Sequence, residues 1–166
     1  MSAGMQVRGI ATVLGDDIDT DIIFPGRYLA VLRPEDQARH LFEPLGEALR
    51  LQVMGGGVIA AGWNFGCGSS REHAVTAMIG AGVRLVIAKS FSRIFFRNAV
   101  NNGLAVVMDE ALAGAVRAGD EVQADLRAGI ARVAGTGHGF APLSAEVLEI
   151  LASGGLWAAR PRKVVA

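Results

Sequence analysis

The stretch Gly66-Cys67-Gly68-Ser69-Ser70-Arg71-Glu72-His73-Ala74 sets a glycine-rich loop against the start of a helix. Before it, Val58-Ile59-Ala60-Ala61 reads as a short buried strand. After it, Ala74, Ala77, Met78 and Ala81 fall at i, i+3, i+4 and i+7, the apolar stripe of a helix. Ser69 with Glu72 three residues on has the spacing of a capping box. Free N–H groups and the positive dipole end at such a helix start favour an anion. Glycines let the backbone approach a ligand closely. Arg71 adds a planar fork that matches a carboxylate or phosphate. The pattern points to carboxylate binding beside a reactive hydroxyl; the competing reading is plain capping, which would account for both serines.

Three familiar loops are excluded. A P-loop ends in Gly-Lys-Ser/Thr, and no lysine stands here. A dinucleotide fingerprint needs a third glycine, where Arg71 follows Gly66 and Gly68. Neither Ser69 nor Ser70 is centred in a Gly-x-Ser-x-Gly elbow.

A chain of 166 residues suits one domain, expected over residues 1–166, with a substantial core. Hydrophobic residues make up 51% of it, which argues against disorder. Sixteen basic and sixteen acidic residues cancel, so no electrostatic footprint for nucleic acid or a membrane surface is expected. No apolar run approaches the ~20 residues of a membrane span. Met1-Ser2-Ala3-Gly4 lacks the layout of a signal peptide, and one cysteine forms no internal disulfide, so the cytoplasm is the expected compartment. Cys67, His40, His73 and His138 supply no recognisable metal-ligand spacing.

Gln6 to Leu14 reads as an opening strand. Gly15 to Gly57 is irregular, broken by Pro25, Pro34 and Pro44, with a short helix from Pro34 through Ala38 and Leu41. Gly55-Gly56-Gly57 closes it as a flexible joint. Val58–Ala61, Arg84–Ala88 and Leu104–Met108 then alternate with two helical patterns. The second carries Phe91, Ile94, Phe95, Asn98 and Ala99 on one face and stops near Asn101-Asn102-Gly103. This β-α-β-α-β order predicts at least three parallel strands with right-handed crossovers. Glu121–Leu126 and Ile130–Val133 form a hairpin around Arg127-Ala128-Gly129, and Ser144 caps a last helix carrying Val147, Leu148 and Leu151. The class is α/β with β-rich flanks.

Asp17, Asp19 and Asp21 alternate like a calcium loop, but Ile22 stands where glycine is needed and Tyr28 where glutamate is needed. These carboxylates are expected to cap turns or bind nearby backbone N–H groups. Lys89, Arg93 and Arg97 recur every four residues along the second helix, as a solvated face or a contact surface for an acidic partner. His73, at a helix start, is read as structural, and Cys67 as a loop thiol without catalytic consequence.

Three segments together carry a family resemblance. They are Gly15-Asp16-Asp17-Ile18-Asp19-Thr20-Asp21-Ile22-Ile23 through Pro25 and Leu29; Asn64-Phe65 through His73-Ala74; and Lys89-Ser90-Phe91 through Ile94-Phe95, Asn98 and Asn101-Asn102-Gly103-Leu104. In order and spacing they resemble the small subunits of 3-isopropylmalate dehydratase, the detached swivelling domain of the aconitase superfamily. The resemblance implies a three-layer β/β/α swivelling domain around the parallel β-α-β-α-β core. It implies a hydro-lyase that isomerises a small hydroxy-dicarboxylate by dehydration and rehydration, with a [4Fe–4S] cluster held by three cysteines of a large subunit. With Cys67 alone, this chain is expected to bind no metal itself.

Matched residue by residue, the resemblance makes Ser69 the catalytic group that removes the carbon-bound proton. Gly68, Ser70 and Arg71 become the substrate-binding groups for a carboxylate. The loop after Tyr28-Leu29 reaches the distal end of the substrate in the family, and Ala30-Val31-Leu32 suits a branched alkyl group, although Arg33 follows. The chain resembles a compact subclass that includes relatives acting on homoaconitate, citraconate or dimethylmalate. A non-catalytic dicarboxylate-binding module is the reading from a different class.

Overall fold

The computed structural model describes residues 5–156, so the Met1–Gly4 segment read for a leader lies outside them. Four strands, β1 (Gln6–Val13), β2 (Gly57–Ala61), β3 (Val83–Ala88) and β4 (Ala105–Met108), run parallel. Three more, β5 (Glu121–Asp125), β6 (Ile130–Val133) and β7 (Thr136–Gly139), extend the sheet antiparallel, in the order β4-β3-β2-β1-β5-β6-β7. The helices are α1 (Thr20–Ile23), α2 (Pro34–Gln37), α3 (Glu47–Met54), α4 (Glu72–Gly80), α5 (Arg93–Asn101), α6 (Glu110–Ala115) and α7 (Ala145–Ala152).

Apolar runs without alternation, such as Val58-Ile59-Ala60-Ala61, form strands covered on both faces. Ile59, Ala61, Val86 and Val106 point into one cluster with α4 and α5, where Ala74, Ala77, Met78 and Phe95 are buried. Val58, Ala60, Leu85 and Val107 point into a second cluster with Val122, Ala124, Ala131 and Val133. β4 and β6 stand far apart in strand order yet share that second core, so the sheet curls back over itself. The result is three layers: antiparallel strands, parallel strands, helices. The expected α/β class and β/β/α layering are what the chain adopts.

Local details differ from the sequence reading. The helix after the quoted loop begins at Glu72 with Arg71 at its N-cap and no side-chain cap, so Ser69 and Glu72 form no capping box. The reason is tertiary, because the Ser69 carbonyl accepts a hydrogen bond from Thr20 Oγ1 at 2.9 Å and Ser69 stays in the loop. α5 begins only at Arg93, where the Ser92 hydroxyl accepts from the Phe95 N–H at 3.2 Å. Phe91 therefore precedes the helix and bridges to Phe65, while Ile94 is 51% exposed. Lys89 also lies before α5, with its ammonium over the Trp63 ring, so the expected basic stripe reduces to Arg93 and Arg97 on the helix.

α3, α6 and β7 were not legible. α3 buries only Val53, too little to write an apolar stripe, and β7 is Thr-Gly-His-Gly, which only its pairing with β6 makes a strand. The triple glycine is no loose joint: a β-carbon on Gly57 would stand 2.5 Å from the Ile10 carbonyl oxygen. Glycine there lets β2 lie against β1. Among the described residues no helix is long and apolar enough to cross a membrane.

Candidate functional site

The loops that follow β1, β2 and β3 meet at the carboxyl edge of the parallel strands, where open α/β sheets place their ligands. They hold the three motifs of the sequence reading, and backbone bonds lace them together. Gly66 N–H donates to Ile18 O at 2.8 Å, Thr20 N–H to Cys67 O at 2.9 Å, and Phe65 N–H to Ser90 O at 3.0 Å. Side chains add to this: the Ser92 hydroxyl donates to Gly66 O at 2.8 Å, and Asn64 N–H donates to the Ser90 hydroxyl at 2.7 Å. Gly66, at φ +78°, packs on Phe95, which meets Phe65 edge to face at 5.1 Å between ring centroids.

The acidic residues largely do what their spacing predicts. Asp19 caps α1 by accepting from the Ile22 N–H at 2.8 Å, and Asp21 accepts from the Gly26 N–H at 3.3 Å. Asp16 accepts from the Trp63 N–H at 2.8 Å, in the neighbouring loop. Asp17 instead accepts from the Asn64 side-chain amide at 3.1 Å. Burial pushes the Cys67 thiol up, with Asp19 and Asp17 adding to it, which disfavours the reactive thiolate.

Ser69 and Ser70 are exposed at the loop tip beside exposed Gly68, just ahead of the nine-residue helix α4. The N–H groups of Gly68, Ser69 and Ser70 donate to no other described residue. Three free donors and the positive helix end leave this tip suited to negative charge. Arg71 reaches the Asp21–Gly26 segment. Its Nη1 binds Asp21 and also donates to Phe24 O at 3.1 Å, and the side chain is only 16% exposed. The hydrogen bond from Arg71 holds the Asp21 carboxyl below the usual carboxylate range. Part of the guanidinium is thus already occupied, and Nη2 lies against Gly26. His73 stacks on Phe24 with 5.5 Å between ring centroids, a structural contact.

Arg71 ties the serine loop to Asp21–Gly26, the segment that leads through a 3-10 turn (Gly26–Tyr28) into Ala30-Val31-Leu32. Ala30 is exposed, Val31 half-buried and Leu32 83% exposed, so the loop presents apolar surface. Sequence reasoning missed Thr20, Gln37 and Thr76, all polar and buried or half-buried. Their partners lie 49, 6 and 39 residues away, beyond any local spacing rule. The described residues hold no cluster of three metal-ligating side chains.

The Aconitase C-terminal domain family matches residues 37–110. The chain is 46% identical over 152 residues to the 3-isopropylmalate dehydratase small subunit 1 of Methanopyrus kandleri, covering 90% of this chain and 89% of that one. It is 47% identical to the 3-isopropylmalate dehydratase small subunit of Pyrobaculum aerophilum, covering 92% of this chain and 95% of the relative. A crystal structure of 3-isopropylmalate dehydratase from Methanocaldococcus jannaschii superposes with a TM-score of 0.86 at 41% identity, over 93% of each chain.

Proposed function

Because this chain belongs to the family of 3-isopropylmalate dehydratase small subunits, we propose that it is one subunit of a hydro-lyase interconverting 2-isopropylmalate and 3-isopropylmalate in leucine biosynthesis. It works as a single domain in the cytoplasm, beside a large subunit. The family's [4Fe–4S] cluster serves as a Lewis acid for the leaving hydroxyl. A chain with one cysteine does not fit it, since three thiolates are needed, so the cluster belongs to the large subunit.

What this chain contributes is proton handling and orientation. Ser69 removes the proton from the substrate carbon and returns it on rehydration. A serine hydroxyl does this only as a stabilised alkoxide, and the free N–H groups around Gly68–Ser70 with the α4 dipole favour that charge. Gly68 admits the substrate close to the backbone, and Ser70 with Arg71 holds a substrate carboxylate. Asp21 and Phe24 O hold the Arg71 fork in place for this. Ala30-Val31-Leu32 receives the isopropyl group; a distal carboxylate there would be desolvated without a partner. Ala30→Arg therefore shifts preference toward homoaconitate-like substrates.

The observation that carries this reading is the exposed Ser69-Ser70 tip, with unpaired N–H groups, held at the carboxyl edge of the sheet by Thr20. The test is reconstitution with a cluster-loaded large subunit in the absence of oxygen. Activity should appear only in the mixture, and Ser69→Ala should lower kcat by ~10²–10⁴-fold without changing assembly. Turnover by the single chain, or near-normal kcat in the variant, refutes it.

A further inference from the structure

Gln37, at the end of α2, is 3% exposed and its amide is fully used. Nε2 donates to Val31 O at 2.9 Å and reaches Leu32 O at 3.4 Å, while Oε1 accepts from Thr76 Oγ1 at 2.6 Å. The orientation of the amide follows from its partners. The two carbonyls can only accept, so the nitrogen must face them, and the hydroxyl of Thr76 must then donate to Oε1. Thr76 stands on α4, one turn beyond Glu72, on the helix into which the Ser69–Arg71 tip leads. α2 and α4 pack backbone to backbone there: a β-carbon on Gly80 would lie 2.1 Å from Pro34 O.

We infer that Gln37 and Thr76 are positioning residues for substrate specificity, fixing the Val31–Leu32 loop relative to the serine tip at the other end of the same scaffold. Beyond Leu32 the loop is anchored by backbone alone, the Arg33 carbonyl accepting from the Asp36 and Gln37 N–H groups and Pro34 packing on Gly80. The Arg33 and Glu35 side chains are exposed and pair with each other. Among the described residues the Gln37 amide thus supplies the side-chain hydrogen bonds to the Val31 and Leu32 carbonyls. On its N-terminal side Tyr28 is held separately, its hydroxyl donating to Glu43 at 2.7 Å and its ring stacked on His40. Loss of the amide clamp would leave both ends of the loop anchored, at Tyr28 and at Pro34, and release the Val31 and Leu32 carbonyls between them. The wall against the alkyl group would loosen, while Ser69, Ser70 and Arg71 would keep their own supports. This inference rests on the reading of residues 30–32 as the alkyl-binding loop.

The experiment compares, in the assembled two-subunit enzyme, kcat/KM for isopropylmalate with that for an analogue bearing methyl in place of isopropyl. Thr76→Val keeps shape and removes the hydroxyl, Thr76→Ser restores it, and Gln37→Leu removes the amide. Alkyl discrimination by a hydrophobic pocket amounts to about 10–200-fold. Thr76→Val and Gln37→Leu should erase about 10-fold of that ratio, mainly through a raised KM for isopropylmalate, and Thr76→Ser should recover it. Ala30→Arg serves as the check on the loop itself. If Ala30→Arg moves the ratio and neither Thr76→Val nor Gln37→Leu does, the positioning role is wrong and the loop reading stands. A uniform loss on both substrates also overturns the role, because it marks general damage. If Ala30→Arg leaves the ratio unmoved as well, the loop reading fails and takes this assignment with it.

Discussion

Gly66→Ala and Gly68→Ala make a matched pair that isolates how the serine loop is held. Both positions have positive φ, +78° and +96°, so alanine at either carries the left-handed penalty of ~1–2 kcal/mol. They differ in what a β-carbon would meet. At Gly68 the nearest atom is Thr20 Oγ1 at 3.3 Å, a tight contact that a small shift relieves. At Gly66 the new carbon would stand 2.2 Å from Phe95 Cγ and 2.4 Å from Phe95 Cβ. No ring rotation relieves the second contact, because that atom is fixed to α5. The ring itself is 2% exposed and wedged between Phe65 and Phe91. Overpacking of this kind adds ~1–3 kcal/mol. Gly66→Ala should thus cost ~2–5 kcal/mol and Gly68→Ala ~1–2 kcal/mol. At about 2–4 °C per kcal/mol for a chain of this size, the two variants should differ in Tm by roughly 2–12 °C. Thermal unfolding of the isolated chain followed by circular dichroism, with urea titration as a second measure, reads this directly. Equal melting temperatures, or a wild-type value for Gly66→Ala, would show that the loop does not press on Phe95.

Two further expectations concern charge. Arg71→Lys keeps the positive charge but loses the fork held by Asp21 and Phe24 O, so, with the substrate-carboxylate role proposed for Arg71, kcat/KM should fall by about 10–150-fold, the range of one charge-assisted hydrogen bond; steady-state kinetics of the assembled enzyme within threefold of wild type would contradict this. Burial, with Arg50, Arg27 and Arg39 nearby, pushes His40 below its ordinary value, while Glu43 facing it is already engaged by Arg27 and Tyr28. The unfolded chain then binds the proton more readily, so this contribution to stability is present above about pH 6.5 and is lost as pH falls through the lower folded value. Urea midpoints between pH 5 and 8 should fall toward acid in wild type and less steeply in His40→Phe, which keeps the stack on Tyr28; identical slopes would refute the assignment.

What the sequence determined by itself is local and periodic. Apolar runs within Val58–Ala61 and Arg84–Ala88, alternating with helical stripes, commit the middle of the chain to parallel strands because both strand faces must be covered. The glycine-serine-arginine string, standing between a strand and a helix, marks the loop that carries Ser69 and its neighbours. Tertiary structure decided the rest. The hydrogen bond from Thr20, 49 residues away, draws the Ser69 carbonyl out of the helix and moves its start to Glu72. Arg71 meets Asp21 across 50 residues, and Thr76 meets Gln37 across 39. No spacing rule reaches that far, since such bonds depend on which loops the sheet order brings side by side. The same holds for β7, whose glycines specify no strand until β6 supplies the partner groups. Periodic burial is written in each segment, whereas directional polar contacts exist only once the segments have met.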